Sequence, residues 1–320
     1  MGGGVIVLAE VRDLRERERG AVATVGNFDG LHRGHRTIVD RVLERARATG
    51  AAALLITFDP HPLKVIAPER APRMLATRRQ KLALLEEAGL EFVLILPFTA
   101  ALAAVTAEEF VRAYLGDGLA AREVYVGENF NFGRGRAGNA DLMVRLCRDL
   151  GIRAEVIREV RHLGSAVSSS RIRRAIEEGE IELANALLGR PYAVEGTVAR
   201  GGGRGASLGF PTANLAVRND LVPPDGVYVT EAVLAGRACP AVTNVGSRPT
   251  FPGASFAVET HLLEAGTDLY GAEIEVRFLQ HLRPEMRFPS PQALVEQIHR
   301  DVDRARAYFS AVRPEDVTPS

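Results

Sequence analysis

From residue 21 to about 185, short runs with an apolar residue at nearly every position alternate with longer stretches whose apolar residues recur at helical spacing. The runs are AVATVG (21–26), AALLITF (52–58), EFVLILPF (91–98), REVYVG (122–127) and IRAEVIREV (152–160). Helical patterns follow at 34–49, 78–88, 107–115, 139–149 and 169–187. A strand that is apolar throughout must be covered on both faces, whereas a helix on its surface needs only one apolar stripe. The alternation therefore predicts a parallel sheet with helices on both faces, joined by right-handed crossovers, with ligands at the carboxyl ends of the strands. The first helix shows the pattern well: Ile38, Val39, Val42 and Ala46 form one stripe, Arg41, Glu44, Arg45 and Arg47 the opposite one, and Gly50 stops it. A second start, TAEEF, has Thr106 and Glu109 at capping-box spacing.

After LLGRPY the texture changes to glycine and proline between β-rich runs: AVEGTVAR, GVYVTEAVL, RACPAVTNVG, FAVETHLLE and AEIEVRFLQHL. A final stretch puts Leu294, Ile298, Val302, Ala305 and Phe309 on one helical face behind a Ser290 cap and Pro291. These predict a small antiparallel β-barrel closed by a C-terminal helix. The expected domains are 1–187 and 188–320.

An apolar share of 46% with 25% charged residues is ordinary for a globular chain and excludes general disorder. Forty Lys plus Arg balance forty Asp plus Glu, so no net field favours nucleic acid or an anionic membrane, and neither is expected as a partner. Lys64 and Lys81 are the only lysines, which leaves phosphate binding to arginine. Two isolated cysteines, Cys147 and Cys239, fit neither a disulfide framework nor a zinc cluster and point to a reducing cytoplasm. There is no signal-peptide pattern and no run of ~18 apolar residues, so a soluble protein is expected.

The chemistry begins with GNFDGLHRGH (26–35), where a glycine turn follows a buried strand and His32 and His35 fall where a helix opens. As zinc ligands they are poorly spaced and lack a third partner. As packing residues they are an acceptable pair. As phosphate-binding groups they fit best, because a helix amino end offers unpaired N–H groups and partial positive charge. Imidazoles there would stabilise charge on a transferring phosphoryl group.

His32-Arg33-Gly34-His35 resembles the HxGH signature of the nucleotidylyltransferase superfamily, whose fold is a Rossmann-like α/β domain. VSSSRIRRAI (167–176) resembles that superfamily's second signature, with Ser168, Ser169 and Arg173 in register and Ser170 in place of the usual threonine. The resemblance implies ATP binding by Gly26, Phe28, Asp29, His32, His35, Ser168, Ser169 and Arg173, with His32, His35 and Arg173 catalytic. TFDPHP (57–62) and VGENFNFGRGRAG (126–138) resemble the segments by which bacterial FAD synthetases hold FMN. Phe58, Phe130 and Phe132 would face the flavin ring system, and Asp59, His61, Pro62, Asn129 and Asn131 would frame its edge. Each phenylalanine taken singly is equally well read as core. GRGRAG (133–138) also fits G-x-G-x-x-G, with Glu155 twenty residues beyond Gly135, but the first strand-to-helix turn, where a dinucleotide fingerprint belongs, is already occupied by the histidines.

In the second half GTVARGGGRGASLGFPTANL (196–215), GVYV, NVGSRPTF, VETHLL and LYGAEIEVRFLQHLRPEMRF together resemble riboflavin kinase. With the first half included, nearly the whole chain resembles the bacterial bifunctional riboflavin kinase and FMN adenylyltransferase family. In an extended PTAN, Thr212 and Asn214 point to one side and present oxygen atoms suited to Mg²⁺ and phosphate. In VETHLL, Val258, Thr260 and Leu262 share one face and Glu259 and His261 the other. The resemblance makes Glu259 the general base, Thr212 and Asn214 the metal ligands, and Gly203, Arg204, Gly209, Pro211, Thr212, Asn214 and Asn244 the nucleotide site. Ala206 stands where relatives often carry a second basic residue. The implied substrates are ATP, riboflavin and FMN, with Mg²⁺. Rival readings are an adenylyltransferase with another acceptor, such as nicotinate mononucleotide or phosphopantetheine, and a non-catalytic flavin carrier.

Overall fold

Each apolar run of the first half forms a strand, and each is followed by helix, in a computed structural model that describes residues 4–200, 209–246, 257–264 and 269–311. Backbone proximity divides the chain into two units, Met1–Arg73 with Arg78–Ser169, and Met74–Thr77 with Ser170–Ser320.

The first unit holds β1 (Ile6–Leu8), β2 (Val22–Val25), β3 (Ala53–Asp59), β4 (Phe92–Pro97), β5 (Glu123–Gly127), a two-strand pair β6 (Asn131–Phe132) and β7 (Gly138–Asn139), β8 (Arg153–Ile157), and a second pair β9 (Arg161–His162) and β10 (Ser165–Ala166). Its helices are α1 (Arg33–Thr49), α2 (Pro62–Ile66), α3 (Arg78–Glu87), α4 (Ala100–Ala103), α5 (Ala107–Phe110) and α6 (Ala140–Asp149). The main sheet has the order β1-β4-β3-β2-β5-β8, parallel throughout. The order in which successive strands are added reverses between β2 and β5, so the crevice at their carboxyl ends is the switch point where ligands are expected.

Side-chain alternation along each strand fills two cores. Ala23, Val25, Leu54, Ile56 and Leu94 pack with Phe110, Leu115 and Met143 on one face. Val22, Leu55 and Val93 pack under Ile38, Val39 and Val42 of α1 and Leu85 of α3 on the other. Both faces are dry, which is why the strands read as continuous apolar runs; truncating Ile56 to alanine would cost about 2–5 kcal/mol.

Two expectations are corrected, and one strand lies outside the runs that predicted the sheet. The amino-terminal apolar run is an edge strand, β1, whose residues pair with Phe92, Val93 and Leu94 of β4. The helix expected at 107–115 is a short α-helix under the Thr106–Glu109 capping box, continued as a π-helical segment over Val111–Gly118. The helix expected at 169–187 breaks into α7 (Ser169–Glu177) and α8 (Ile181–Leu188). Gly179, at φ 77°, turns the chain in the left-handed region, and Gly179 N and Glu180 N close back on Ile176 O and Ala175 O. That is a glycine-dependent helix stop.

The second unit is a closed barrel in the order β11-β12-β15-β14-β13-β16. Its strands are β11 (Tyr192–Ala199), β12 (Ala213–Val217), β13 (Gly226–Leu234), β14 (Arg237–Gly246), β15 (Ala257–Leu262) and β16 (Glu273–Pro284). The long helix α9 (Pro291–Ala311) covers an outer face, with Val302 and Ala305 against Phe210, Val227, Val229, Val242 and Leu282. Between them, Tyr228 and Thr230 on β13 and Thr243 on β14 take the opposite parity and are fully buried. Three buried hydroxyls join across strands, Thr230 to Thr243 at 2.8 Å and Thr243 to Thr260 at 2.9 Å.

Candidate active site

The turn after β2 is tightly folded: Phe28, Gly30 and Leu31 have φ of 46°, 76° and 35°. Two non-glycine residues in the left-handed region mark stored backbone strain, of order 1–3 kcal/mol each. Phe28, Asp29, Leu31 and His32 are all buried, while Gly26 and His35 are half-buried. His32 caps α1: its Nδ1 accepts from His35 N at 3.2 Å. In its neutral form the His32 ring therefore carries its hydrogen on Nε2. The two imidazoles stack with centroids 3.6 Å apart and planes at 16°, and Phe28 lies 4.9 Å from the His35 ring. A side chain at Gly34 would meet the His32 ring at 3.3 Å and Val167 O at 3.6 Å, so the signature's glycine is a matter of space.

Ser169 Oγ donates to Asp29 O at 3.1 Å, which ties the second signature to the first. Ser168 is half-buried, Ser170 is exposed at the start of α7, and Arg173 is half-buried one helical turn further along.

The end of β3 is linked to the same turn. His61 caps α2 through Nδ1, which accepts from Leu63 N at 3.2 Å, with Pro62 in the first helical turn. Its Nε2 lies 3.1 Å from the Asn27 carboxamide. The atom placed there is the amide nitrogen Nδ2; with Nδ1 accepting, a neutral His61 ring carries its hydrogen on Nε2, so this contact becomes a hydrogen bond when the carboxamide turns its oxygen toward the ring. Asp59 is exposed and pairs with Arg78 at 3.4 Å.

The phenylalanines form one array. Phe130 stacks on Phe132 at 5.3 Å, Phe132 lies 5.9 Å from Phe110, and Phe110 lies 6.4 Å from Phe58, which meets Phe98 edge-on at 5.6 Å. Phe132 is core, whereas Phe58 and Phe130 are half-buried and keep part of their faces open. Asn129 and Asn131 are exposed beside them, with Asn131 Nδ2 donating to Asn129 O at 2.9 Å. Sequence reasoning missed Phe98 and Phe110, which come from other segments; Phe110 could have been found as the apolar residue directly behind the capping box. The GRGRAG stretch is a hairpin, not a helix opening: Gly138 pairs back to Phe132, and a side chain on Gly133 would lie 2.7 Å from Ala107 N.

Lys81 was also missed. Its Nζ donates to Asn27 O at 2.5 Å and to Thr57 Oγ1 at 2.7 Å. Burial pushes its ammonium down to about 8, against the opposing pull of the Asp29 and Asp59 carboxylates.

In the barrel, strand register gathers a polar row. Asn214 on β12 pairs with Glu259 on β15, and Glu259 pairs on its other side with Asn244 on β14. Val258 and Thr260 are buried while Glu259 and His261 are half-exposed, the parity the sequence implies. Asn214 is 7% exposed, and its Oδ1 is buried with no hydrogen-bond partner among the described residues. Thr212 is half-buried just ahead of β12, Gly209 and Pro211 are exposed, and His261 Nδ1 lies 2.9 Å from Pro211 O, to which it donates. His261 thereby fixes the carbonyl that precedes Thr212. Gly203, Arg204 and Ala206 lie outside the described residues. Among the described residues no three His, Cys, Asp or Glu gather to hold a metal.

Comparison with known proteins agrees with this division of chemistry. The FAD synthetase family profile matches residues 14–171 and the riboflavin kinase profile residues 188–309. The chain is 37% identical to the bifunctional riboflavin kinase/FMN adenylyltransferase of Escherichia coli (strain K12), over 93% of this chain and 95% of that one. It is 40% identical to the protein of the same description from Pseudomonas fluorescens, over 93% and 96%. A crystal structure described as a macrolide-efflux protein from Streptococcus pneumoniae superposes with a TM-score of 0.83 at 27% identity, covering 94% of this chain and 99% of that one. Among the described residues no helix is long and apolar enough to cross a membrane. Matched along almost its whole length and in both halves, the chain belongs to the bifunctional riboflavin kinase/FMN adenylyltransferase family.

Proposed function

We propose that the chain phosphorylates riboflavin to FMN in its barrel and adenylylates FMN to FAD, with release of pyrophosphate, in its α/β domain, drawing on ATP in both steps. The working division is 1–187 and 188–320, and the reducing cytoplasm is the compartment that suits its two unpaired cysteines. The observation that carries this reading is that each half has its own phosphate-directed arrangement. One is the stacked histidines at the opening of α1; the other is the row Asn214, Glu259, Asn244.

In the α/β domain an FMN phosphate oxygen attacks the α-phosphorus of ATP and pyrophosphate departs. The amino end of α1 and the Nε2–H of His32 donate to the charge that builds on the phosphate oxygens, with His35 stacked behind. Gly26, Phe28, Asp29, Ser168, Ser169 and Arg173 complete the ATP site. The open faces of Phe58 and Phe130 take the flavin rings, with Asp59, His61, Pro62 and Asn129 at the edge. Phe132 supports them from the core.

In the barrel Glu259 takes the proton of the riboflavin 5′-hydroxyl as that oxygen attacks the γ-phosphorus of ATP, the bond to the β,γ-bridging oxygen breaks, and ADP departs. The buried Oδ1 of Asn214, which has no partner among the described residues, and the hydroxyl of Thr212 suit a hard cation, and they would hold Mg²⁺ together with substrate phosphates. When bound, the ion neutralises phosphate charge. Gly209, Pro211 and Asn244 line the nucleotide.

Incubation with riboflavin, ATP and Mg²⁺, followed by separation of FMN and FAD, tests the reading. Glu259→Gln should lower FMN formation by about 10²–10⁴-fold while FAD formation from supplied FMN persists. Loss of both activities together, or neither product from the unaltered chain, overturns it.

A further inference from the structure

A lysine on an amphipathic helix ordinarily extends to water, where its ammonium is fully hydrated. Lys81, in the first turns of α3, instead turns its ammonium inward between the carboxyl ends of two neighbouring strands. One hydrogen goes to Asn27 O, two residues beyond the end of β2, and another to Thr57 Oγ1 near the end of β3. Thr57 Oγ1 in turn donates to Asn27 O at 3.2 Å, closing a three-membered network. Asn27 lies next to the strained Phe28-Asp29 turn, and its carboxamide meets His61. Thr57 immediately precedes Phe58 and Asp59. The charged groups facing this ammonium are Asp29 from the turn and Asp59 from the strand end, the latter also paired with Arg78.

We infer that Lys81 is a positioning residue of adenylyl transfer: its ammonium locks the phosphate-binding turn after β2 to the flavin-binding segment after β3. This deepens the proposed α/β site and rests on it. The two substrates of that step must meet in line, and a displacement of about 1 Å between their cradles costs on the order of 10²-fold in rate. Charge matters as well as shape. Ammonium hydrogen bonds are roughly twice as strong as neutral ones, and loss of the proton removes the attraction between this group and the Asp29 and Asp59 carboxylates. Burial holds the ammonium at about 8, below its ordinary 10.5. The lock is therefore charged below about pH 8 and loses its charge above it.

The test uses the full chain and measures FAD formation from FMN and FMN formation from riboflavin, each from pH 6.5 to 9.5. Unaltered protein should show a fall in the kcat of adenylyl transfer above about pH 8 that the kinase step lacks. Lys81→Met should lower adenylyl-transfer kcat about 10²-fold at pH 7, with a smaller change in KM, an unchanged kinase rate, and an unaltered near-ultraviolet circular dichroism spectrum that reports a folded α/β unit. Lys81→Arg should recover at least tenfold of that loss and remove the alkaline fall, because a guanidinium stays charged throughout. If the unaltered protein and Lys81→Arg share the same alkaline profile, or if Lys81→Met retains full adenylyl transfer, the inference is wrong. His35→Ala run alongside separates the two levels. A dead His35→Ala with an active Lys81→Met overturns only the lysine's role, whereas activity in both overturns the site.

Discussion

Glu123, at the start of β5, accepts two hydrogen bonds from Arg45 at 2.6 and 2.9 Å and one from Tyr125 Oη at 2.5 Å, while only 6% exposed. The Arg45 bonds hold its carboxyl down at about 2 against the effect of burial, from an ordinary 4.5. A carboxylate favoured in the fold stabilises it fully above the unfolded value and ceases to do so as pH falls through the folded one. The urea midpoint of the α/β unit should therefore drop between about pH 4.5 and 2 more steeply in the unaltered protein than in Glu123→Gln. Equal slopes would show that the pair adds nothing. At this scale some roles were open to reading and others were not. His32 and His35 stand in a short motif whose residue types and spacing suit phosphate, and the role given to Glu259 is one that the family resemblance implies. Lys81 stands in an ordinary helical pattern, and only the fold brings it to Asn27 and Thr57, which lie 54 and 24 residues away in sequence.

Elements were legible where periodicity is long and obscure where a single residue decides. Four buried strands, the half-exposed edge strand β8 and the opening of α1 followed directly from the residue pattern. Strand β1 did not, because three residues at a sheet edge carry too little pattern to separate strand from coil. The split between α7 and α8 was hidden for the opposite reason: apolar spacing continues across it, and Gly179 alone turns the chain. Gly179→Ala, forced into the left-handed region, should cost about 1–2 kcal/mol, read as a lower urea midpoint for loss of kinase activity. An unchanged midpoint would mean that the junction relaxes without strain. The aromatic array was only half visible, since Phe98 and Phe110 reach it from segments that share no motif with Phe58, Phe130 and Phe132.

For the whole molecule, the alternation of βα units followed by a β-rich half conveyed two architectures in the right order. Each has its own apolar interior: the two faces of the parallel sheet, and the barrel with its outer helix. Chains built this way depart from a single all-or-none transition. Adenylyl transfer and riboflavin phosphorylation, assayed after equilibration in increasing urea, should be lost at different midpoints, and Ile56→Ala should move only the first. Coincident loss in both proteins would indicate one cooperative unit.

The hydroxyl chain through the barrel sets a further condition on that second interior. Thr243 is its middle member and serves both Thr230 and Thr260, so each end residue depends on one neighbour while the centre supports two. Hydroxyl hydrogens rotate, so the run can point either way and still satisfy its joints. Serine is thus admissible anywhere along it. Valine of nearly the same shape is affordable at an end and damaging in the centre, where it would strand two oxygens in a dry interior at once.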